Sequence, residues 1–146
     1  MAQLGFKSVV LDFDLEAPGL CYKFTVSKDG APVDVKRGLV DYLFDVVIEG
    51  KKPGSILEYT KEIPIPSTDN PLVTLFPAGR APTADYWEKL CRINWHDLFY
   101  SPDPKGVKLF LDLKSRIEES LAPDFLLIDS RTGVTEMGGC CDNNFT

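Results

Sequence analysis

Two short acidic stretches hold the residue types in this sequence that could do chemistry. Asp12-Phe13-Asp14 closes the apolar run Val9-Val10-Leu11. Asp129 closes the run Phe125-Leu126-Leu127-Ile128 and is followed by Ser130-Arg131-Thr132-Gly133. Continuous apolar runs of this kind suit strands buried on both faces of a parallel sheet. A carboxylate at the carboxyl end of such a strand stands where open α/β sheets bind ligands. It can there hold a hydrated Mg²⁺ against nucleotide phosphates. The competing reading of each stretch is an ordinary strand whose final Asp starts a turn.

The elements that must position these acids are legible from periodicity. Strands are predicted over Ser8 to Leu11, Leu72 to Phe76 and Phe125 to Ile128. Between them, Leu39, Val40, Leu43, Phe44 and Val47 recur at helical spacing, opposite Asp41, Asp45 and Glu49. Thr83 is placed to cap a helix carrying Tyr86, Trp87, Leu90 and Ile93 on one side. Trp95, Leu98, Phe99 and Tyr100 form a second short apolar element, and Val107, Phe110, Leu111, Ile117 and Leu121 mark a longer amphipathic helix ended by Pro123. Gly5 resembles a helix C-cap. Ile56 to Ile65 reads as a short extended segment, and Asp29-Gly30, between Phe24-Thr25-Val26 and Val33-Asp34-Val35, as the turn of a small hairpin. Strands separated by helical segments imply an α/β chain with a parallel sheet.

Composition bounds the function. At 146 residues the chain is long enough for one domain with a core and too short for two ordinary ones. A net charge of -6 argues against broad binding to nucleic acid or anionic membranes. No apolar run is long enough to span a bilayer. Cys21, Cys91, Cys140 and Cys141 form no C-x-x-C pair and His96 is the single histidine, so a metal site built from these is not expected. A reduced, cytoplasmic chain is the expectation.

Parallel strands would bring Asp12 and Asp14, Ala78-Gly79-Arg80 and Asp129 to one edge of the sheet. Carboxylates gathered there repel each other unless a cation or a proton lies between them, which favours Mg²⁺ over a purely structural role. With Asp129 neutralised in that way, Asp14 could orient water for attack on phosphorus. Backbone N–H groups around Thr132-Gly133 could face a terminal phosphate.

Val10 to Gly19, reading Val-Leu-Asp-Phe-Asp-Leu-Glu-Ala-Pro-Gly, and Asp124 to Gly133, reading Asp-Phe-Leu-Leu-Ile-Asp-Ser-Arg-Thr-Gly, resemble the ParA/MinD-type P-loop ATPases. The likeness is greater to the branch with Leu-Glu-Ala-Pro-Gly after the first acidic pair and Asp-Ser-Arg-Thr-Gly at Walker B. Phe76-Pro77-Ala78-Gly79-Arg80, Tyr86-Trp87 and Asn94-Trp95 also look like that branch. The resemblance implies a three-layer α/β fold with a parallel sheet of the P-loop NTPase type. It also implies ATP and Mg²⁺ as cofactors, phosphoanhydride hydrolysis, a homodimer through the nucleotide face, and an unidentified regulatory protein partner. By this resemblance Asp14 orients the hydrolytic water and Asp12 is its acidic neighbour near the metal. Asp129 matches the Walker B carboxylate that holds Mg²⁺ through water, and Ser130, Arg131, Thr132 and Gly133 match the switch segment that senses the terminal phosphate. Arg80 falls on the nucleotide edge.

The chain departs from that pattern in one large respect: G-x-x-x-x-G-K-[ST] occurs nowhere in it. In the family this loop precedes the helix whose last residues resemble Ala2-Gln3-Leu4-Gly5. The expectation is therefore that residues 1–146 form a single partial P-loop ATPase domain, a middle portion lacking the first strand and the C-terminal strands. Such a portion would be inactive alone and would expose an apolar strand edge. The alternatives are a non-catalytic binding module that keeps the fold without a phosphate loop, and a dinucleotide-binding fold, which needs a G-x-G-x-x-G that is also missing. Elsewhere, His96 reads as a packed or surface histidine, Trp87, Trp95, Phe99 and Tyr100 as core or interface, and Cys140-Cys141 as buried packing. Asn144-Phe145-Thr146 fits a glycosylation pattern that a cytoplasmic chain would not use.

Overall fold

Among the described residues, backbone hydrogen bonds join four strands into one open sheet, in the order β2-β3-β1-β4. They are β1 (Ser8–Asp12), β2 (Lys61–Ile63), β3 (Val73–Phe76) and β4 (Phe125–Asp129). This is a computed structural model, and it describes residues 2–24, 33–52, 54–65 and 73–130. β1 pairs in parallel with β3 and β4, aligning Leu11 with both Phe76 and Ile128. β2 runs antiparallel to β3, so the sheet is mixed, not wholly parallel.

Among the described residues, five helices accompany the sheet: α1 (Leu20–Lys23), α2 (Leu39–Val47), α3 (Ala84–Arg92), α4 (Trp95–Phe99) and α5 (Lys105–Leu121). Alternation along β1 sends Val9 and Leu11 to one face, where they pack with Phe76, Leu43 of α2, Leu90 of α3, Leu98 of α4 and Leu113 and Ile117 of α5. Val10 points to the other face, with Val73, Leu75 and Ile63, under Ala2, Leu20, Cys21, Val33 and Val35. The cover is thus uneven: four helices on one face, and a short helix with coil on the other. An α/β chain is what the pattern of apolar runs predicts, and α2, α3 and α5 lie where helical spacing places them, although Val107 and Leu111, expected on the apolar side of α5, are exposed and Leu113 is buried instead.

Local chemistry sets the boundaries. The Thr83 hydroxyl accepts the N–H of Tyr86 at 3.2 Å, and the Asn94 side chain accepts that of Asp97 at 3.1 Å, each satisfying a donor that a helix start leaves unpaired. Gly5, at φ +87°, closes the 3-10 turn Ala2–Leu4. Ala122 ends α5 in the left-handed region at φ 42°, directly before Pro123.

Four further expectations change. Leu127 and Ile128 are 42% and 58% exposed, although their run reads as a strand buried on both sides. β4 is an edge strand among the described residues, with β1 as its one neighbour. The segment from Ile56 folds as a 3-10 turn (Ile56–Tyr59) before the short β2. No strand forms at Val33 to Val35, where the Val33 N–H donates instead to the Cys21 carbonyl at 3.0 Å; the proposed Asp29-Gly30 turn lies outside the described residues. Asp41 and Asp45 do not form a solvated helix face. Asp41 is buried and bound to Lys89 at 2.8 Å, while Asp45 accepts the Tyr59 hydroxyl at 2.9 Å and is ion-paired with Arg37. Isolated periodicity cannot see a cation arriving from a distant helix.

His96 is exposed, as are Trp87 and Tyr100, whereas Trp95 and Phe99 stack at 6.3 Å and are half-buried. No helix among the described residues is long and apolar enough to cross a membrane.

Candidate functional site

The register of β1 against β4 places Asp12 directly beside Asp129 at the carboxyl ends of two adjacent parallel strands. The ladder runs one step further, with the Phe13 N–H donating to the Asp129 carbonyl at 2.8 Å. Alternation then points Phe13 to the helical face, where its ring meets Phe110 edge-on at 5.2 Å, and Phe110 stacks on Phe99 at 5.8 Å. This aromatic column fixes the backbone between the two acids of Asp12-Phe13-Asp14. Two of the acids expected to share one sheet edge, Asp12 and Asp129, are in register, and Asp14 follows in the next turn.

Asp12 is 1% exposed, and both its oxygens are used locally. Oδ1 accepts the Asp14 N–H at 3.3 Å and Oδ2 accepts the Leu20 N–H at 3.1 Å, so the carboxylate brackets the loop that leaves β1 and begins α1. Asp14 in turn accepts the Ala17 N–H through Oδ1 at 3.2 Å. Burial pushes the Asp12 carboxyl above the usual carboxylate range. The N–H groups of Leu20 and Asp14 pull it down, and the charges of Asp129 and Asp14 add to the rise. Asp129 is the accessible member of the pair, its side chain 45% exposed and 4.0 Å from the Lys23 ammonium. A cation from α1 thus faces Asp129, an element and a residue that sequence periodicity did not reveal.

Ala78, Gly79 and Arg80 leave the carboxyl end of β3, as expected, but the first two are committed to packing. The N–H groups of Leu39 and Val40, at the start of α2, donate to the carbonyls of Pro77 and Ala78 at 2.8 Å each. Gly38 approaches this turn so closely that a Cβ would stand 2.3 Å from the Pro77 carbonyl oxygen. Arg80 is exposed, and its carbonyl accepts the Thr83 hydroxyl at 2.7 Å. Ser130 is exposed just past β4, while Arg131, Thr132 and Gly133 lie outside the described residues, as do Cys140, Cys141 and Asn144.

The donor set is all oxygen, which suits a hard divalent cation such as Mg²⁺. Among the described residues, however, no three Asp, Glu, His or Cys side chains converge to hold an ion by themselves. A hydrated Mg²⁺ shared with nucleotide phosphates needs only one or two carboxylates, and Asp129 is the accessible one. Chemically, the edge offers a half-exposed carboxylate at Asp129 and a second carboxylate, Asp14, on a braced loop.

No protein-family model matches this chain, and no curated protein matches it.

Proposed function

We propose that these residues form the acidic half of a Mg²⁺-dependent ATP-binding and ATP-hydrolysing switch of the ParA/MinD type. The observation that carries this reading is the registered pair Asp12 and Asp129 at the carboxyl ends of β1 and β4, with Asp14 one turn beyond. In this reading Asp129 holds Mg²⁺ through water, and the ion would offset phosphate charge. Asp14 orients the attacking water, and Ser130 to Gly133 follow the terminal phosphate. Asp12 braces the loop that carries Asp14. The sequence has no G-x-x-x-x-G-K-[ST], so the lysine and hydroxyl that grip the phosphates must come from other polypeptide. A nucleotide-dependent homodimer, an unidentified regulatory protein partner and a cytoplasmic location belong to the same proposal.

The test is Mg²⁺-ATP hydrolysis by the product of the complete gene. Asp129→Asn should weaken Mg²⁺ dependence, and Asp14→Asn should remove turnover while nucleotide still binds. If no phosphate loop is encoded in frame with this segment, the ATPase reading fails. A non-catalytic binding module is the second reading. What favours it is that both Asp12 oxygens already bind backbone N–H groups, a structural use that needs no metal.

A further inference from the structure

The loop between β1 and α1 is held from a distance by a buried phenol. Tyr86, on α3, is 2% exposed, and its hydroxyl donates to the Leu15 carbonyl at 2.7 Å across 71 residues of sequence. Leu15 is itself 2% exposed, so its carbonyl has poor access to water as a replacement partner. The phenol is fixed in turn from three sides. Its backbone N–H is held by the Thr83 cap. Its ring lies against Gly79, where a Cβ would come within 2.9 Å of the ring carbons. One turn along α3, Lys89 binds Asp41 at 2.8 Å, and Asp41 accepts the Gly38 N–H at 2.9 Å. The helix is therefore pinned in rotation, with Tyr86 aimed at the loop.

We infer that Tyr86 is the positioning residue of the acidic site: through Leu15 it sets where the loop carrying Asp14 stands over the sheet edge. Asp12 fixes the two ends of that loop by binding the N–H groups of Asp14 and Leu20, and Asp14 binds Ala17 within it. None of these contacts holds the loop down toward the helical layer. The Tyr86 bond does, at the residue that follows Asp14, alongside the Leu15 side chain buried in the same helical-face core. Burial, together with the charges of Asp12, Asp14 and Asp41, keeps the phenol neutral and therefore a donor. The catalytic meaning of this latch rests on the ATPase reading; the latch itself does not.

Amide hydrogen exchange in the wild-type chain and in Tyr86→Phe tests it. The N–H groups of Asp14, Ala17 and Leu20 should exchange about tenfold faster in the variant, the loss expected for one buried hydrogen bond. Those of Val10 and Leu75, inside the sheet, should change less than the loop amides, which separates a local latch from global destabilisation. Equal loop exchange in the two proteins overturns the inference. If Tyr86→Phe does not fold, the wild type supplies the measurement: the Tyr86 hydroxyl proton should exchange slowly and lie close to Leu15 by NMR. A hydroxyl exchanging as fast as that of the exposed Tyr22 overturns it. With Mg²⁺-ATP as substrate for the product of the complete gene, Tyr86→Phe should lower kcat about tenfold and leave KM unchanged. A rise in KM alone overturns the positioning role. Absence of hydrolysis in the wild type would sink the ATPase reading, and the exchange rates would still decide the latch.

Discussion

Asp12 and Asp129 stand side by side on neighbouring parallel strands, one 1% exposed and the other open to solvent. Two carboxylates in register repel, and burial keeps Asp12 from relieving the repulsion by solvation. Asp12 titrates above its ordinary range, so folding is favoured while it is protonated and loses that contribution as pH rises through its folded pKa. In metal-free buffer at neutral pH, Asp129→Asn should therefore raise the thermal midpoint by a few degrees, roughly 0.5 kcal/mol for a half-exposed charge. The gain should shrink as pH falls and Asp12 becomes protonated. Calorimetry across pH checks both; a destabilised variant at neutral pH would contradict the repulsion.

Lys89 and Asp41 join α3 to α2, with Asp41 also holding the Gly38 N–H. Removing the acid leaves the Gly38 N–H without its acceptor and Lys89 with Asp85 alone. Asp41→Ala should cost about 2 kcal/mol, and Lys89→Met about 1 kcal/mol, because the second change leaves the Gly38 bond in place. Urea titrations with unchanged slopes would report the two values. Equal costs would mean that the Gly38 bond contributes little.

Gly38 and Gly50 separate close approach from backbone strain. At Gly38 the backbone is extended, yet a Cβ would stand 2.3 Å from Pro77 O and 2.6 Å from Gly79 N. Backbone cannot yield as a side-chain tip can, so Gly38→Ala should cost about 3 kcal/mol or more and part α2 from the β3 turn. Gly50, at φ +62° with open space around it, should cost about 1 kcal/mol. Denaturation midpoints of the two variants make the comparison.

Tyr59 links the 3-10 turn to α2. Burial, and then its bond to Asp45, push the phenol up to about 12 from an ordinary value of 10.0. A raised folded pKa means that the stabilisation is complete below the unfolded value and is lost as pH climbs through the folded one. Unfolding free energy should therefore fall between pH 10.0 and about 12. Tyr59→Phe should make that part of the profile less steep, the rest of the slope coming from the raised phenols of Tyr42 and Tyr86. An unaltered alkaline slope in the variant would show that Tyr59 is not its source.

The two sheet edges are unlike. β2 is short, with Lys61 and Glu62 exposed and Pro64 just beyond, features that discourage pairing with another chain. β4 presents Leu127 and Ile128 with no charge until Asp129. The purified chain should self-associate through that edge, and Ile128→Lys should reduce association at a cost within about 0.5 kcal/mol. Sedimentation velocity decides; a monomeric wild type at high concentration would rule this out.

Much of this molecule is written in local pattern. The apolar runs at Val9, Val73 and Phe125, the helical spacing around Leu43, Tyr86 and Ile117, the Thr83 cap and the Gly5 turn are properties of neighbouring residues. They form where single-sequence periodicity puts them, because side-chain alternation and caps act over a few residues. The acidic pair was legible for the same reason, as two strands each ending in Asp. Its arrangement was not. Only the register of β1 on β4 makes Asp12 the neighbour of Asp129, and only the loop into α1 turns Asp12 into a buried bracket with both oxygens bound. The exposure of Leu127 depends on which strand lies at the sheet edge, a fact of strand order that no run of apolar residues contains. Tyr86 read as one more core residue of α3, although a phenol at a core position already asks where its hydroxyl finds an acceptor. The acceptor is Leu15, 71 residues earlier, and contacts at that separation exist only once the sheet has brought α3 over the β1 loop.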